Sequence, residues 1–186
     1  MKEIETKRLI LRTFKLSDVQ DFFEYAQNEK IGLMAGWKPH TTIERSQKVI
    51  ETFIERKEVW AIELKENQKV IGLIGLHNDK KRDNVNCRML GYELNEDYWG
   101  KGYILEAIHA ILHHGFNDLN IEIISVNHYS INTQSASVIK KAGFVYEGTL
   151  RQCTLRFDGK VLDNVHYSLT NFEYNQFNKG RTYASN

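Results

Sequence analysis

The segment Asp97-Tyr98-Trp99-Gly100-Lys101-Gly102-Tyr103 constrains this chain more than any other, because it joins two patterns of different period. Before it, Cys87 to Leu94 reads as a strand; after it, Ile104, Leu105, Ile108, Ile111, Leu112 and Phe116 recur at helical spacing. A strand that passes through glycines into a helix leaves several backbone N–H groups pointing outward, where the helix dipole favours negative charge. Glycine permits positive φ at such a turn and lets a phosphate approach the main chain without meeting a Cβ atom. The glycines alone favour a plain tight turn in which Lys101 is a solvated charge. The loop is not of the Walker type, which closes on Gly-Lys-Ser/Thr. Nor does it complete G-x-G-x-x-G, since the residue three beyond Gly102 is Leu105.

The flanking chain alternates strands and helices. Arg8 to Arg12 reads as a short strand, followed by a helix opened by a Ser17/Gln20 capping box and a second opened by Thr41/Glu44. Trp60 to Leu64 and Val70 to Leu76 flank a polar turn and form a hairpin. Beyond the glycine loop and its helix, Ile121 to Val126 is a buried strand, and a helix from about Asn132 to Ala142 stops at Gly143. A long strand pair through Asp158-Gly159 ends near Leu169. Strands that mostly neighbour one another in sequence predict an α+β sheet with helices on its faces rather than a doubly wound parallel one.

Composition sets outer limits. With 186 residues, 41% of them hydrophobic, the chain is expected to form one domain over residues 1–186. A formal charge of +1 gives no electrostatic reason for nucleic acid or an anionic membrane as a partner. The N-terminus lacks the apolar stretch of an export signal, and Cys87 and Cys153 are too few for a disulfide framework, so free buried thiols and a cytoplasmic location are expected.

Several separate motifs, in order, resemble the GNAT acetyltransferase superfamily, specifically its ribosomal-protein N-acetyltransferase-like branch. They are Thr6-Lys7-Arg8-Leu9-Ile10-Leu11-Arg12; Gly91-Tyr92-Glu93-Leu94 running into Tyr98-Trp99-Gly100-Lys101-Gly102-Tyr103 with Glu106-Ala107; Asn132-Thr133-Gln134-Ser135; Lys141-Ala142-Gly143-Phe144; Glu147-Gly148; and Asp163, Tyr167-Ser168-Leu169 and Glu173-Tyr174. The resemblance implies the GNAT fold, a mixed, mostly antiparallel sheet splayed at its middle with helices on both faces. It also implies acetyl-CoA as cosubstrate and no metal. Main-chain groups of Leu94 and Asn95 would then face the pantetheine or thioester. N–H groups of Trp99, Gly100, Lys101, Gly102, Tyr103 and Ile104 would hold the pyrophosphate, and Asn132 would bond the pantetheine amide. The superfamily loop often begins with Gln or Arg, where this chain has Asp97.

Acetyl transfer needs a neutral amine, a polarised thioester and a proton for the departing thiolate. A peptide α-amino group with pKa about 7.8 is roughly one-third neutral at pH 7.5, against about 0.1% for lysine, so an N-terminal acceptor asks little of a protein base. Glu93, at the splayed strand end, is the candidate base, and it reads equally well as a solvated strand carboxylate. His77 could also serve as a base through its near-neutral pKa, and reads better as a loop-edge histidine with no role. The resemblance makes Ser135 the proton donor to sulfur, although Asn132 is also a good N-cap and Ser135 at N3 could simply face solvent. Three functions follow: acetylation of a protein N-terminal amine such as that of a ribosomal protein, acetylation of a small amine (polyamine, aminoglycoside or amino acid), or a silent acyl-CoA-binding module. The last draws on Thr154, which stands where some N-terminal acetyltransferases carry a glutamate. The strand pair around Asp158-Gly159 is a candidate contact for a homodimer.

Overall fold

A computed structural model describes residues 1–82 and 85–183. The chain opens with strands β1 (Ile4–Glu5) and β2 (Leu9–Thr13), then helices α1 (Val19–Ala26), α2 (Glu29–Ala35) and α3 (Ile43–Arg56). Strands β3 (Val59–Leu64), β4 (Val70–His77) and β5 (Cys87–Leu94) lead to α4 (Tyr103–His113), which continues in a widened π turn over His114–Asp118. β6 (Ile123–Tyr129), α5 (Thr133–Lys141), β7 (Val145–Leu155), β8 (Val161–Thr170) and α6 (Asn171–Tyr183) complete it.

The strands form one sheet in the order β1-β2-β3-β4-β5-β6-β8-β7. Every neighbouring pair is antiparallel except β5 and β6. That parallel pair runs only from Cys87/Ile123 to Leu90/Val126. Beyond it Gly91 to Leu94 stay paired to β4 and Asn127 to Tyr129 stay paired to β8, so the sheet opens between β5 and β6. The expected α+β sheet, splayed at its middle, is therefore present.

Side-chain alternation sends the two faces of β5 to different cores. Leu90 and Leu94 pack with Ile108, Ile111 and Leu112 of α4 and Ile139 of α5. Ile108, Ile111 and Leu112 are fully buried, each worth roughly 1.5–3 kcal/mol of transfer free energy. The opposite face carries a second core, in which Phe22 and Tyr25 of α1 and Ile50 of α3 meet Val59, Ala61 and Leu73.

Several local expectations shift. The Ser17/Gln20 box does not form, because Asp18 is drawn into a buried network: it accepts from the Lys15 N–H at 2.7 Å and from both terminal nitrogens of Arg12 at 2.8 and 3.0 Å. The cap of α3 is Thr42, not Thr41, and Thr42 accepts from the Arg45 N–H at 3.4 Å. Cys87 is buried as expected, whereas Cys153 is exposed, because β7 forms the sheet edge. Among the described residues, no helix is long and apolar enough to cross a membrane.

Candidate active site

The opening between β5 and β6 leads into a cavity of about 610 Å³. One wall is the end of β5 with the glycine loop and the start of α4. The other is the end of β6 with the first turns of α5, and α2 closes one side through Ile31, Met34 and Ala35.

The loop is built from glycines in the left-handed region. Gly100 has φ +74° and Gly102 has φ +78°, and Gly102 is the residue from which α4 begins. A Cβ at Gly100 would meet nothing within 4 Å, and one at Gly102 would meet only Arg8 Nη2 at 3.6 Å. The glycines thus serve backbone conformation and leave open space above the loop, not tight packing within the protein. The first α-type bond of the helix is Glu106 N–H to Gly102 C=O, so the N–H groups of Tyr103, Ile104 and Leu105 precede the helical ladder. Such a concave run of donors at an eleven-residue helix suits an anionic diphosphate. The Trp99 N–H is not part of that run, since it donates to Glu96 C=O at 3.1 Å. Lys101 does not line the cavity; its Nζ lies 5.1 Å from the centre of the Tyr98 ring.

Arg8, expected in the first strand and in the first family motif, lies just before β2 and anchors this loop. Its Nη1 donates to Lys101 C=O at 3.0 Å, its Nε to Glu106 Oε2 at 2.7 Å, and its guanidinium stacks 4.3 Å over the Tyr103 ring. Glu106 also accepts from Thr6 Oγ1 at 2.7 Å and the Arg8 N–H at 2.8 Å, which ties the first motif of the chain to the start of α4.

The structure separates Leu94 from Asn95. Leu94 lines the cavity, and its carbonyl accepts the Trp99 indole N–H at 2.8 Å. Asn95 is buried away from it. Its N–H extends the β4 pairing to Ile71 C=O at 2.8 Å, its Oδ1 accepts the Asp97 N–H at 3.2 Å, and its Nδ2 donates to Glu24 at 2.9 Å. Both main-chain groups of Asn95 are used within the protein, the N–H by Ile71 and the carbonyl by the Tyr98 N–H at 3.0 Å, so it has none to offer the cleft.

Glu93 sits on the opposite face of β5 from Tyr92, as alternation requires, and is the only carboxylate among the described residues that line the cavity. Glu93 is partly buried. Burial pushes its pKa up to about 7, against a hydrogen bond from Trp37 Nε1 at 2.7 Å that favours the charged form. His77 lies elsewhere, outside the cavity lining and 3.6 Å from Glu58.

Across the cleft, Asn132 caps α5, its Oδ1 accepting the Ser135 N–H at 3.0 Å. Ser135 does not point into bulk solvent: its Oγ is 2.6 Å from the Tyr92 hydroxyl, the shortest bridge between the two walls. Burial pushes Tyr92 up to about 12, so its hydroxyl stays protonated at neutral pH. Tyr92 was missed as a site residue, although alternation from Glu93 puts it on the α5 side. Trp37 has no local sequence signal at all.

Comparison with known proteins bears on this geometry. A GNAT acetyltransferase domain model matches residues 8–145. The chain is 28% identical over 180 residues to p20, an uncharacterised N-acetyltransferase of Bacillus licheniformis, covering 94% of this chain and 99% of that one. Over 105 residues, about half of each chain (56% and 53%), it is 28% identical to the ribosomal protein uS5-alanine N-acetyltransferase of Escherichia coli. A GNAT-family acetyltransferase from Bacillus anthracis shares the fold with a TM-score of 0.84 at 22% identity, over 92% of this chain and 99% of that one. Because the family match runs from Arg8 through the glycine loop and past Ser135, it takes in both walls of the cleft, and this N-acetyltransferase belongs to the GNAT family.

Proposed function

We propose that this enzyme acetylates the α-amino group of a protein N-terminus, using acetyl-CoA and direct attack by the amine. The observation that carries this reading is Glu93, the one carboxyl among the described residues that line the cavity, in a cleft whose side is closed by the apolar Ile31, Met34 and Ala35. One carboxylate in a cavity with an apolar side suits a single amine on a weakly polar chain end. A polyamine or aminoglycoside carries several cations, each of which would ask for its own acidic partner. The named activity of the E. coli relative supports a ribosomal protein as one such acceptor.

The glycine loop fits the diphosphate of acetyl-CoA, because a Cβ at Gly100 or Gly102 would meet almost nothing and the N–H groups of Tyr103, Ile104 and Leu105 precede the helical ladder of α4. When bound, acetyl-CoA supplies the thioester and the leaving sulfur. Glu93 takes a proton from the incoming ammonium, a transfer between groups of nearly matched pKa when the donor is an α-amine near 7.8. Ser135, held by the Tyr92 hydroxyl, gives its proton to the sulfur, and the second proton that the nitrogen sheds as it becomes an amide restores the Ser135–Tyr92 pair.

An acceptor screen scored by free-thiol release from acetyl-CoA tests this. N-terminal peptides with small first residues are expected to be turned over well ahead of spermidine and aminoglycosides. Preferred turnover of a polyamine would replace the reading with small-amine acetylation, and the absence of turnover with every amine would leave a silent acyl-CoA-binding module.

A further inference from the structure

Arg156 follows the last residue of β7 and is only 5% exposed. Its Nε and Nη2 donate to the Asp158 carboxylate at 2.8 and 2.7 Å, within the turn to β8. Its Nη1 leaves the hairpin and donates to the Leu33 carbonyl of α2, 123 residues away in sequence, at 2.9 Å. A buried guanidinium must have its donors met, and one that Asp158 does not take is directed to the end of a different element. The carbonyl it meets is short of a donor. In a continuing helix the Trp37 N–H would serve Leu33, but the chain turns at Gly36, with φ +88°, and that N–H goes to Gly32 C=O at 3.1 Å. A cation here also suits the negative end of the helix dipole.

α2 ties together the two sides that the sheet leaves apart. On the β5 side Asn28 Nδ2 donates to Glu96 Oε2 at 2.9 Å, and Trp37 Nε1 to Glu93 Oε1 at 2.7 Å. On the β6 side Gly36 packs so closely that a Cβ would run into the Tyr129 hydroxyl, and Arg156 adds its bond to Leu33. The hairpin that carries Arg156 is bent by a bulge: Leu150 pairs with Asn164 and Thr154 with Leu162, so Arg151, Gln152 and Cys153 oppose Asp163 alone, with Gln152 at φ +48°. α2 is seven residues long with Gly32 in its interior, so its place depends on such tertiary contacts. Leu33 lies one helical turn before Trp37, and releasing its carbonyl loosens the turn that carries the indole. We infer, on the reading that Glu93 is the base, that Arg156 is a positioning residue for acetyl transfer: it latches the end of α2 to the β7–β8 hairpin and so keeps Trp37 on Glu93.

The chain's three tryptophans make the test specific. Each indole N–H donates within the protein: Trp37 to Glu93, Trp60 to the Lys2 carbonyl at 2.9 Å, and Trp99 to the Leu94 carbonyl at 2.8 Å. Hydrogen exchange of the three indoles is followed by NMR on the full chain without ligand, with Trp37→Phe assigning the resonance. Arg156→Met keeps the side chain's length, removes its donors and leaves Asp158 in water rather than buried alone. It should speed exchange at Trp37 at least about tenfold, the worth of the lost bond, with Trp60 and Trp99 unchanged because the opening is local. kcat/KM for a peptide acceptor that the wild type turns over should fall about tenfold, with CoA affinity unchanged. Arg156→Lys retains one cationic donor and should recover part of both losses, and it carries the same test if the methionine variant does not fold. Unchanged exchange at Trp37, equal acceleration at all three indoles, or unchanged kcat/KM would each overturn the assignment. Wild-type kcat/KM at every pH in Glu93→Gln would instead remove the reading on which it rests, a result on which the exchange measurement does not depend.

Discussion

The indole N–H of Trp37 donates to Glu93 Oε1 at 2.7 Å, joining the turn after α2 to the end of β5. The bond favours the ionised carboxylate, while burial opposes it more strongly. Trp37→Phe keeps most of the aromatic volume and removes the donor, so the pKa of Glu93 should rise beyond about 7. A hydrogen bond to a charged group is worth about 1.5–3 kcal/mol, equivalent to roughly one to two pKa units. The inflection in kcat/KM that reports Glu93 should move to higher pH by that order, and an unmoved inflection would show that Trp37 does not tune the base.

Glu93 also links stability to pH. Its folded pKa of about 7 lies above the ordinary carboxyl value of 4.5, so between those values the folded state binds a proton that the unfolded state has released. Stability should therefore fall as pH rises from 4.5 to 7, by about 3 kcal/mol at most. Glu93→Gln removes this term. The variant should be more stable than the wild type above pH 7, with the difference shrinking toward pH 5, as followed by urea unfolding across that range.

Gly102 separates conformational strain from ligand contact. Because a Cβ there would meet nothing closer than Arg8 Nη2 at 3.6 Å, Gly102→Val should destabilise the fold only through its φ of +78°, by about 1–2 kcal/mol. Its effect on ligand should be larger. The added side chain occupies the space assigned to the diphosphate, and affinity for both CoA and acetyl-CoA should fall at least about a hundredfold by calorimetry, close to 3 kcal/mol. Wild-type CoA affinity in a folded Gly102→Val protein would remove the loop from the binding site.

Much of this arrangement was legible in the sequence. The period change around residues 97–103 located the loop, Asp158-Gly159 located the last hairpin, and Cys87 to Leu94 coincides with β5. What was not legible depended on distant contacts. α2 is short and carries Gly32 in its interior, so its local propensity is poor; it forms where Ile31 joins a core made by α1 and α3. Trp37 reaches Glu93 across 56 positions of sequence, and the partner of Arg8 lies 98 residues away. α6 did leave a signal that was passed over. Thr170 and Glu173 form a reciprocal capping box, with Thr170 Oγ1 accepting the Glu173 N–H at 3.2 Å and Glu173 Oε2 accepting the Thr170 N–H at 2.9 Å.

The pair Ser135 and Tyr92 allows a sharper test than Ser135 alone. The hydroxyls are 2.6 Å apart and either can donate to the other, so Tyr92, protonated at neutral pH, can orient Ser135 and return a proton to it. A thiolate is a good leaving group with pKa near 8.5, so loss of the Ser135 hydroxyl should cost toward the low end of the range for acid–base groups, about 10²-fold in the transfer step. Helix content should not change, since the cap of α5 is Asn132 and the bond to the Ser135 main-chain N–H survives alanine. Tyr92→Phe should slow the same step by less, about tenfold, because Ser135 remains but is no longer oriented. If the two act as one relay, Ser135→Ala with Tyr92→Phe should be no slower than Ser135→Ala alone, as expected for groups that work as a unit. Single-turnover kinetics of the four proteins at saturating acetyl-CoA reads this directly. Multiplicative losses would mean that Tyr92 acts on the reaction independently of Ser135, and a wild-type rate in Ser135→Ala would end its assignment as proton donor.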